Sequence, residues 1–335
     1  MYGDQIQTGG DHETSTSRKN VLMITFKIKR YNPEKQAESY FEDFQLDVQE
    51  DLTLLDCMNK IKWTLDGSLT YRMSCRSAIC GSCAVKANGH AILACQRQAQ
   101  HLVKDNDTIV LEPLGNMKPI KDLAVDFKPF WDKIDKVKPY LQPKKKAQEK
   151  ETKQSPEQFK LIDDSSTCIM CGACYSDCDV LEVDDNFLGP AALAKAQRFV
   201  QDSRDGKTLE RVKELSKPGG IWDCTHCAAC VERCPKPARP FDRIKEIMTV
   251  ALEQGVTNNN GARHALSFAK SVKSSGRLNE NIIPVESVGF FNFKGLFDLL
   301  PVGLRMFFKG KNPPILHKSI DEVEDVKRIY RELDE

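Results

Sequence analysis

The sequence predicts an α+β protein made of two small domains and a tail, and three observations predict it. Alternating apolar residues mark strands near the start. Helical periodicity takes over after about residue 160. Twelve of the thirteen cysteines fall into three tight groups, one in the strand-rich part and two in the helical part. The expected division is a strand-rich domain over 20–131, a charged linker over 132–160, a helical domain over 161–254 and a C-terminal extension over 255–335.

Residues 21–31 alternate, with Leu22, Ile24, Phe26 and Ile28 on one side, and residues 44–48 repeat this with Phe44, Leu46 and Val48. A polar connector joins them, which predicts an antiparallel strand pair. In Leu54–Leu65 the residues Leu54, Met58, Ile61 and Leu65 recur at helical spacing, and Cys57 shares that stripe. A small core hydrophobe is therefore its better reading than a ligand. Short β-like runs at Ala91–Ala94 and Thr108–Leu111 follow, stopped by Pro113. Residues 132–160 are rich in Lys, Glu, Gln and Pro, a linker by composition whose lysines are most simply solvated. Beyond it, Gly189-Pro190 opens a helix with Leu193, Ala196, Phe199 and Val200 on one face. The last 80 residues carry no cysteine but hold the apolar stretch Phe290–Phe308, broken by Lys294, Asp298, Pro301 and Arg305. It is too charged to span a bilayer. Either it is a contact surface for a partner or the membrane interface, or it packs on its own domain.

Composition narrows the function classes. The net charge of +1 predicts no nucleic-acid partner. Residues 1–20 are polar, without the apolar core of a secretion signal, and Ser17-Arg18-Lys19 is not a twin arginine. That favours a reducing compartment, where clustered cysteines are metal ligands rather than disulfides. No run of about 18 uncharged apolar residues exists, so no membrane span is expected.

The first group is Cys75-x4-Cys80-x2-Cys83, then Cys95 after eleven residues. This is the spacing of a plant-type two-iron ferredoxin. Two irons and two sulfides need four thiolates, and one tight loop supplies three. Gly81 and the small Ser77, Ala78, Ser82 and Ala84 let backbone amides approach the sulfurs. Zinc is the weaker reading, because it prefers two separated C-x2-C pairs. The second group is Cys168, Cys171, Cys174 and Cys178; the third is Cys224, Cys227, Cys230 and Cys234, followed by Pro235. Both are C-x2-C-x2-C-x3-C, the bacterial two-cluster signature, in which the fourth cysteine of each run ligates the other cluster. The expectation is one [2Fe-2S] cluster and two [4Fe-4S] cubes. Cys168, Cys171, Cys174 and Cys234 hold the first cube, and Cys178, Cys224, Cys227 and Cys230 the second. His226, inside the third run, is not needed as a ligand; a tuning hydrogen bond or plain exposure suits it better. No G-x-G-x-x-G follows a strand, so hydride chemistry is assigned to a partner.

On these residues the chain resembles the iron–sulfur subunits of succinate dehydrogenase and fumarate reductase. The resemblance covers residues 21–250 and includes Met73–Cys83, Asp122–Tyr140 and Phe187–Asp205, outside the cysteine spacings alone. It implies a β-grasp ferredoxin domain followed by a helical two-cluster domain. It further implies an FAD-carrying flavoprotein partner that interconverts succinate and fumarate, and a membrane-anchor partner through which electrons reach quinone. The chain would then sit peripherally on the cytoplasmic side of the cell membrane. Two departures stand out. The commonest members lack a cysteine at the position of Cys227 and hold a [3Fe-4S] cluster, so a second [4Fe-4S] cube is expected here, with [3Fe-4S] as the alternative. The family's quinone pocket uses Pro, Trp and His where this chain has Asp179, Val183 and Thr225.

Asn258–Glu280 and Leu299–Glu335 are similar to the C subunit of heterodisulfide reductases, which docks a partner with cysteine-rich repeats. The combination resembles the non-classical succinate dehydrogenases, whose anchor is such a protein. Two other functions compete. One is an electron-transfer subunit of a different flavin oxidoreductase, heterodisulfide-reductase- or glycolate-oxidase-like, although those chains usually lack the 75–95 loop. The other is a free soluble ferredoxin, which the long C-terminal extension argues against.

Overall fold

Apolar alternation becomes a hairpin at the start of the chain. In the computed structural model, β1 (Val21–Arg30) and β2 (Tyr40–Gln49) pair antiparallel, Phe26 opposite Phe44 and Ile24 opposite Leu46. The structure describes residues 21–35, 38–103, 107–144, 151–311, 313–314 and 318–334; the polar segment 1–20 and linker residues 145–150 lie outside it. Ile24, Phe26 and Ile28 are fully buried. Thr53 then starts α1 (Leu54–Lys60) with a capping box: its hydroxyl accepts from the Asp56 N–H at 3.2 Å, and the Asp56 carboxylate accepts from the Thr53 N–H at 3.1 Å. Leu54, Leu55, Met58 and Ile61 enter the core, and Cys57 sits among them as a free buried thiol.

The stripe ends sooner than its period predicts. Residues Ile61–Leu65 form a wider π-helical turn, closed by the Asp66 N–H on the Ile61 carbonyl at 2.9 Å. The wider turn rotates Leu65 off the buried face, and it is 53% exposed.

Three further strands complete the sheet: β3 (Ala84–Ala87), β4 (His90–Leu93) and β5 (Thr108–Glu112). The order is β2-β1-β5-β3-β4; β5 runs parallel to β1, and every other neighbour is antiparallel. This mixed sheet, sharing its core with α1, is the expected β-grasp arrangement. A small ribbon, β6 (Pro119–Lys121) and β7 (Ala124–Val125), follows. Buried Arg30 ties the loops together, pairing with Asp122 at 3.1 Å, Asp66 at 2.5 Å and Glu42.

The stretch read as linker is ordered at both ends. It begins inside α2 (Lys128–Lys136) and ends inside α3 (Pro156–Ser166). Between them, the buried Arg211 guanidinium donates to the carbonyls of Val137, Lys138 and Tyr140. Composition marked the charged surface of this segment; its anchor is a residue far along the chain.

The helical domain comprises α3, the single turns α4 (Ala173–Ser176) and α5 (Asp179–Val183), then α6 (Pro190–Val200) and α7 (Thr208–Leu215). The turn α8 (Ala229–Glu232) and α9 (Pro240–Glu253) complete it. Leu193, Ala196 and Val200 of α6 are buried with Ile244, Ile247 and Ala251 of α9, while Phe199 is half-buried under the guanidinium groups of Arg198 and Arg211. One continuous apolar core links this domain to the sheet.

The extension forms α10 (Asn260–Ser275), α11 (Ile282–Val288), α12 (Phe293–Phe308) and α13 (Val323–Asp334). The start of α10 is seated against the turn Ile221–Asp223 just before the third cysteine run, since a Cβ on Gly261 would stand 2.3 Å from Trp222. The apolar stretch is α12, and none of its residues is buried. No helix among the described residues is long and apolar enough to cross a membrane.

Candidate iron–sulfur centres

The loop between α1 and β3 turns its backbone N–H groups onto sulfur. Arg76, Ala78 and Gly81 have φ of 58°, 55° and 74°, left-handed conformations that fold successive amides inward into an anion-binding nest. The N–H groups of Ser77, Ile79 and Cys80 approach Cys75 Sγ at 3.3, 3.4 and 3.3 Å. That of Ala78 approaches Cys95 Sγ at 3.2 Å, and that of Ser82 approaches Cys80 Sγ at 3.5 Å. Cys83 and Cys95 interact with one another, so the loop and the end of β4 bring all four thiols of the first group together. The Ser82 hydroxyl and the nearby backbone N–H groups pull the Cys80 thiol down to about 6, while burial pushes Cys83 up to about 12.

The second and third runs cross. One cavity is lined by Cys168, Cys171, Cys174 and Cys234 with Ile169, Ala191 and Pro240. The other is lined by Cys178, Cys224, Cys227 and Cys230 with Val180, Phe187 and Phe241. Each run carries the same pair of left-handed residues, Met170 and Gly172 in one, His226 and Ala228 in the other. That geometry curls each backbone around its cavity. The N–H groups of Lys236, Ala238 and Arg239 face Cys234, that of Phe241 faces Cys230, and those of Val180 and Leu181 face Cys178. His226 is exposed beside Phe241, their rings 5.3 Å apart.

The donor set fits clusters. Burial pushes Cys171 to about 11, Cys230 to about 12, and Cys174 well above the ordinary thiol range. Thiolates in such surroundings need cationic partners, which the irons of a cluster supply while the amides neutralise residual sulfur charge. No three His, Cys, Asp or Glu side chains among the described residues converge on a single-ion site.

The three centres are packed against each other. A Cβ on Gly81 would stand 2.7 Å from Cys171 Cβ, so the first loop touches the second run directly. Asn116 donates to the carbonyls of Tyr175 and Cys178 at 2.9 and 3.0 Å, and the Gly115 N–H donates to Ser176 Oγ at 2.8 Å. The spacing of cysteines does not disclose these contacts. In the sequence, Gly81 reads only as making room for amides at the sulfurs, and the charged residues before each fourth cysteine, Asp177 and Arg233, do not stand out.

Residues 25–132 match the 2Fe-2S iron-sulfur cluster binding domain family, and residues 164–237 the 4Fe-4S dicluster domain family. The chain is 37% identical to the 8-methylmenaquinol:fumarate reductase iron-sulfur subunit of Wolinella succinogenes, over 77% of this chain and 82% of that one. It is 36% identical to the succinate dehydrogenase iron-sulfur subunit of Coxiella burnetii, over 69% of this chain and 98% of that one. A chain of the Mycobacterium smegmatis Sdh1 complex in the apo form shares the fold, with a TM-score of 0.64 and 21% identity, covering 70% of this chain and 98% of that chain. A β-grasp sheet with a four-thiol loop, a helical domain with two crossed cysteine runs, and relatives matched over 82% and 98% of their length lead to one conclusion: the chain belongs to the family of succinate dehydrogenase and fumarate reductase iron–sulfur subunits.

Proposed function

We propose that this chain conducts electrons between a flavoprotein that interconverts succinate and fumarate and a membrane-anchor subunit that serves quinone. Cys75, Cys80, Cys83 and Cys95 hold a [2Fe-2S] cluster; Cys168, Cys171, Cys174 and Cys234 hold a [4Fe-4S] cube; Cys178, Cys224, Cys227 and Cys230 hold a second. The observation that carries this reading is the crossed lining of the two cavities, each with three cysteines of one run and the last of the other. Each cluster, when bound, passes single electrons. The protein's own contribution is to aim amides at the sulfurs and keep the centres in contact through Gly81 and Cys171.

The two ends differ in a way that suits two partners. Ile79 (61% exposed) and Cys80 present the two-iron end to the flavoprotein. Cys227 and Val183 are exposed at the other end, where the family's quinone-binding Pro, Trp and His are replaced. The anchor is therefore read as carrying the quinone-reacting chemistry, through cysteine-rich repeats, and α12 as docking it. Phe291, Phe297 and Leu304 of this region are exposed, and Lys294, Asp298, Arg305 and Lys309 share one narrow stripe. The chain then lies peripherally, on the cytoplasmic face.

The test is succinate-dependent dye reduction by the native complex, purified through this chain. Activity with a co-purifying flavoprotein supports the reading. A complex that contains a flavoprotein and leaves succinate untouched contradicts it.

A further inference from the structure

We propose that Asp177 and Arg233 form a positioning pair that sets the reduction potential of the cluster held by Cys178, Cys224, Cys227 and Cys230 and fixes that cluster against the N-terminal sheet. The proposal rests on the ligand set given above. Asp177 immediately precedes the fourth cysteine of the second run, and Arg233 immediately precedes that of the third. Those are the two points at which the runs cross.

The pair joins three parts of the molecule. Arg233 Nε lies 3.0 Å from Asp177 Oδ2, and the side chains are only 21% and 10% exposed. The same carboxylate accepts the Ala91 N–H of β4 at 2.9 Å and the Ser176 hydroxyl at 2.9 Å. Lys86 of β3 approaches it at 3.8 Å, and Glu232 approaches Arg233 at 3.7 Å. Asp177 also lines the cavity that the four thiols share. One carboxylate therefore touches the sheet, the second run and the third.

Reduction adds one electron to the cluster, drawn from the preceding centre, and makes or breaks no bond. The added negative charge is favoured by a nearby cation and opposed by a nearby anion, and partial burial strengthens both effects. Paired, Asp177 and Arg233 largely cancel. Asp177→Asn removes the anion that faces Arg233 and Lys86, leaves a net positive charge there and raises the potential. Arg233→Gln removes the cation that faces Asp177 and Glu232, leaves a net negative charge there and lowers it. A pair that only braced the fold would not shift the potential in opposite directions.

The experiment is an EPR-monitored redox titration of the cluster-loaded chain and its variants. The expected result is an upward shift for Asp177→Asn, a downward shift for Arg233→Gln, and a return toward the starting value in the double variant and in Arg233→Lys. The [2Fe-2S] signal keeps its potential throughout. No shift in either single variant, or shifts of the same sign, overturns the proposal. A starting protein without a signal from that cluster overturns the ligand assignment as well, so the two failures are distinguishable.

Discussion

Cys227 stands exposed at the rim of its cavity, while Cys230 is buried within it. It is the fourth thiol of its set, and its removal leaves three. Cys227→Ala is predicted to convert that centre into a three-iron cluster, read as loss of one iron per chain and appearance of an oxidised three-iron EPR signal. Gly81 carries a different constraint. Its φ of 74° and its contact with Cys171 leave no room for a methyl group. Gly81→Ala should cost about 1–2 kcal/mol of stability and slow electron passage from the first loop to the second run, measured by thermal unfolding and rapid-freeze EPR. The buried thiols also give the iron-free chain a pH signature. Cys83 and Cys230 hold their protons to about 12 when folded, against 9.0 as ordinary thiols. Between those values the unfolded chain binds fewer protons, so stability of the iron-free form falls as pH rises through that window. Denaturant titrations at pH 8 and pH 10.5 check the sign.

Among the elements, α7 does work that its own sequence does not announce. Arg211 pairs with Asp205 at 2.9 Å, both nearly inaccessible, and holds the carbonyls of residues 137–140. Arg211→Met strands Asp205 and frees that segment, and should cost about 3–5 kcal/mol in thermal or denaturant unfolding. In α12 the expectation is the reverse. Phe297→Glu and Leu304→Glu, both on exposed positions, should leave the clusters and stability unchanged while abolishing co-purification of the anchor subunit. The hairpin, α1 and α6 were legible because alternation or helical period leaves a mark in a single segment. The π-helical turn at Ile61–Leu65 and the pinned ends of the linker were not. The first depends on one backbone hydrogen bond, and the second on Arg211 arriving from at least 71 residues away.

At the scale of the whole molecule, cysteine spacing alone announced three centres, because thiolate number and loop length are fixed by cluster chemistry. It could not announce how the domains meet. That depends on single contacts made by Gly81, Asn116 and Asp177, none of which has a spacing rule. The family relationship adds that the whole unit, rather than either ferredoxin domain alone, is what relatives share. The most direct measurement is the iron content of the purified, fully loaded chain together with its EPR spectrum. About ten irons per chain, with one two-iron and two coupled four-iron signals after reduction, is the predicted result. About nine irons, with a three-iron signal in the oxidised chain as purified, would contradict it and remove Cys227 from the ligands.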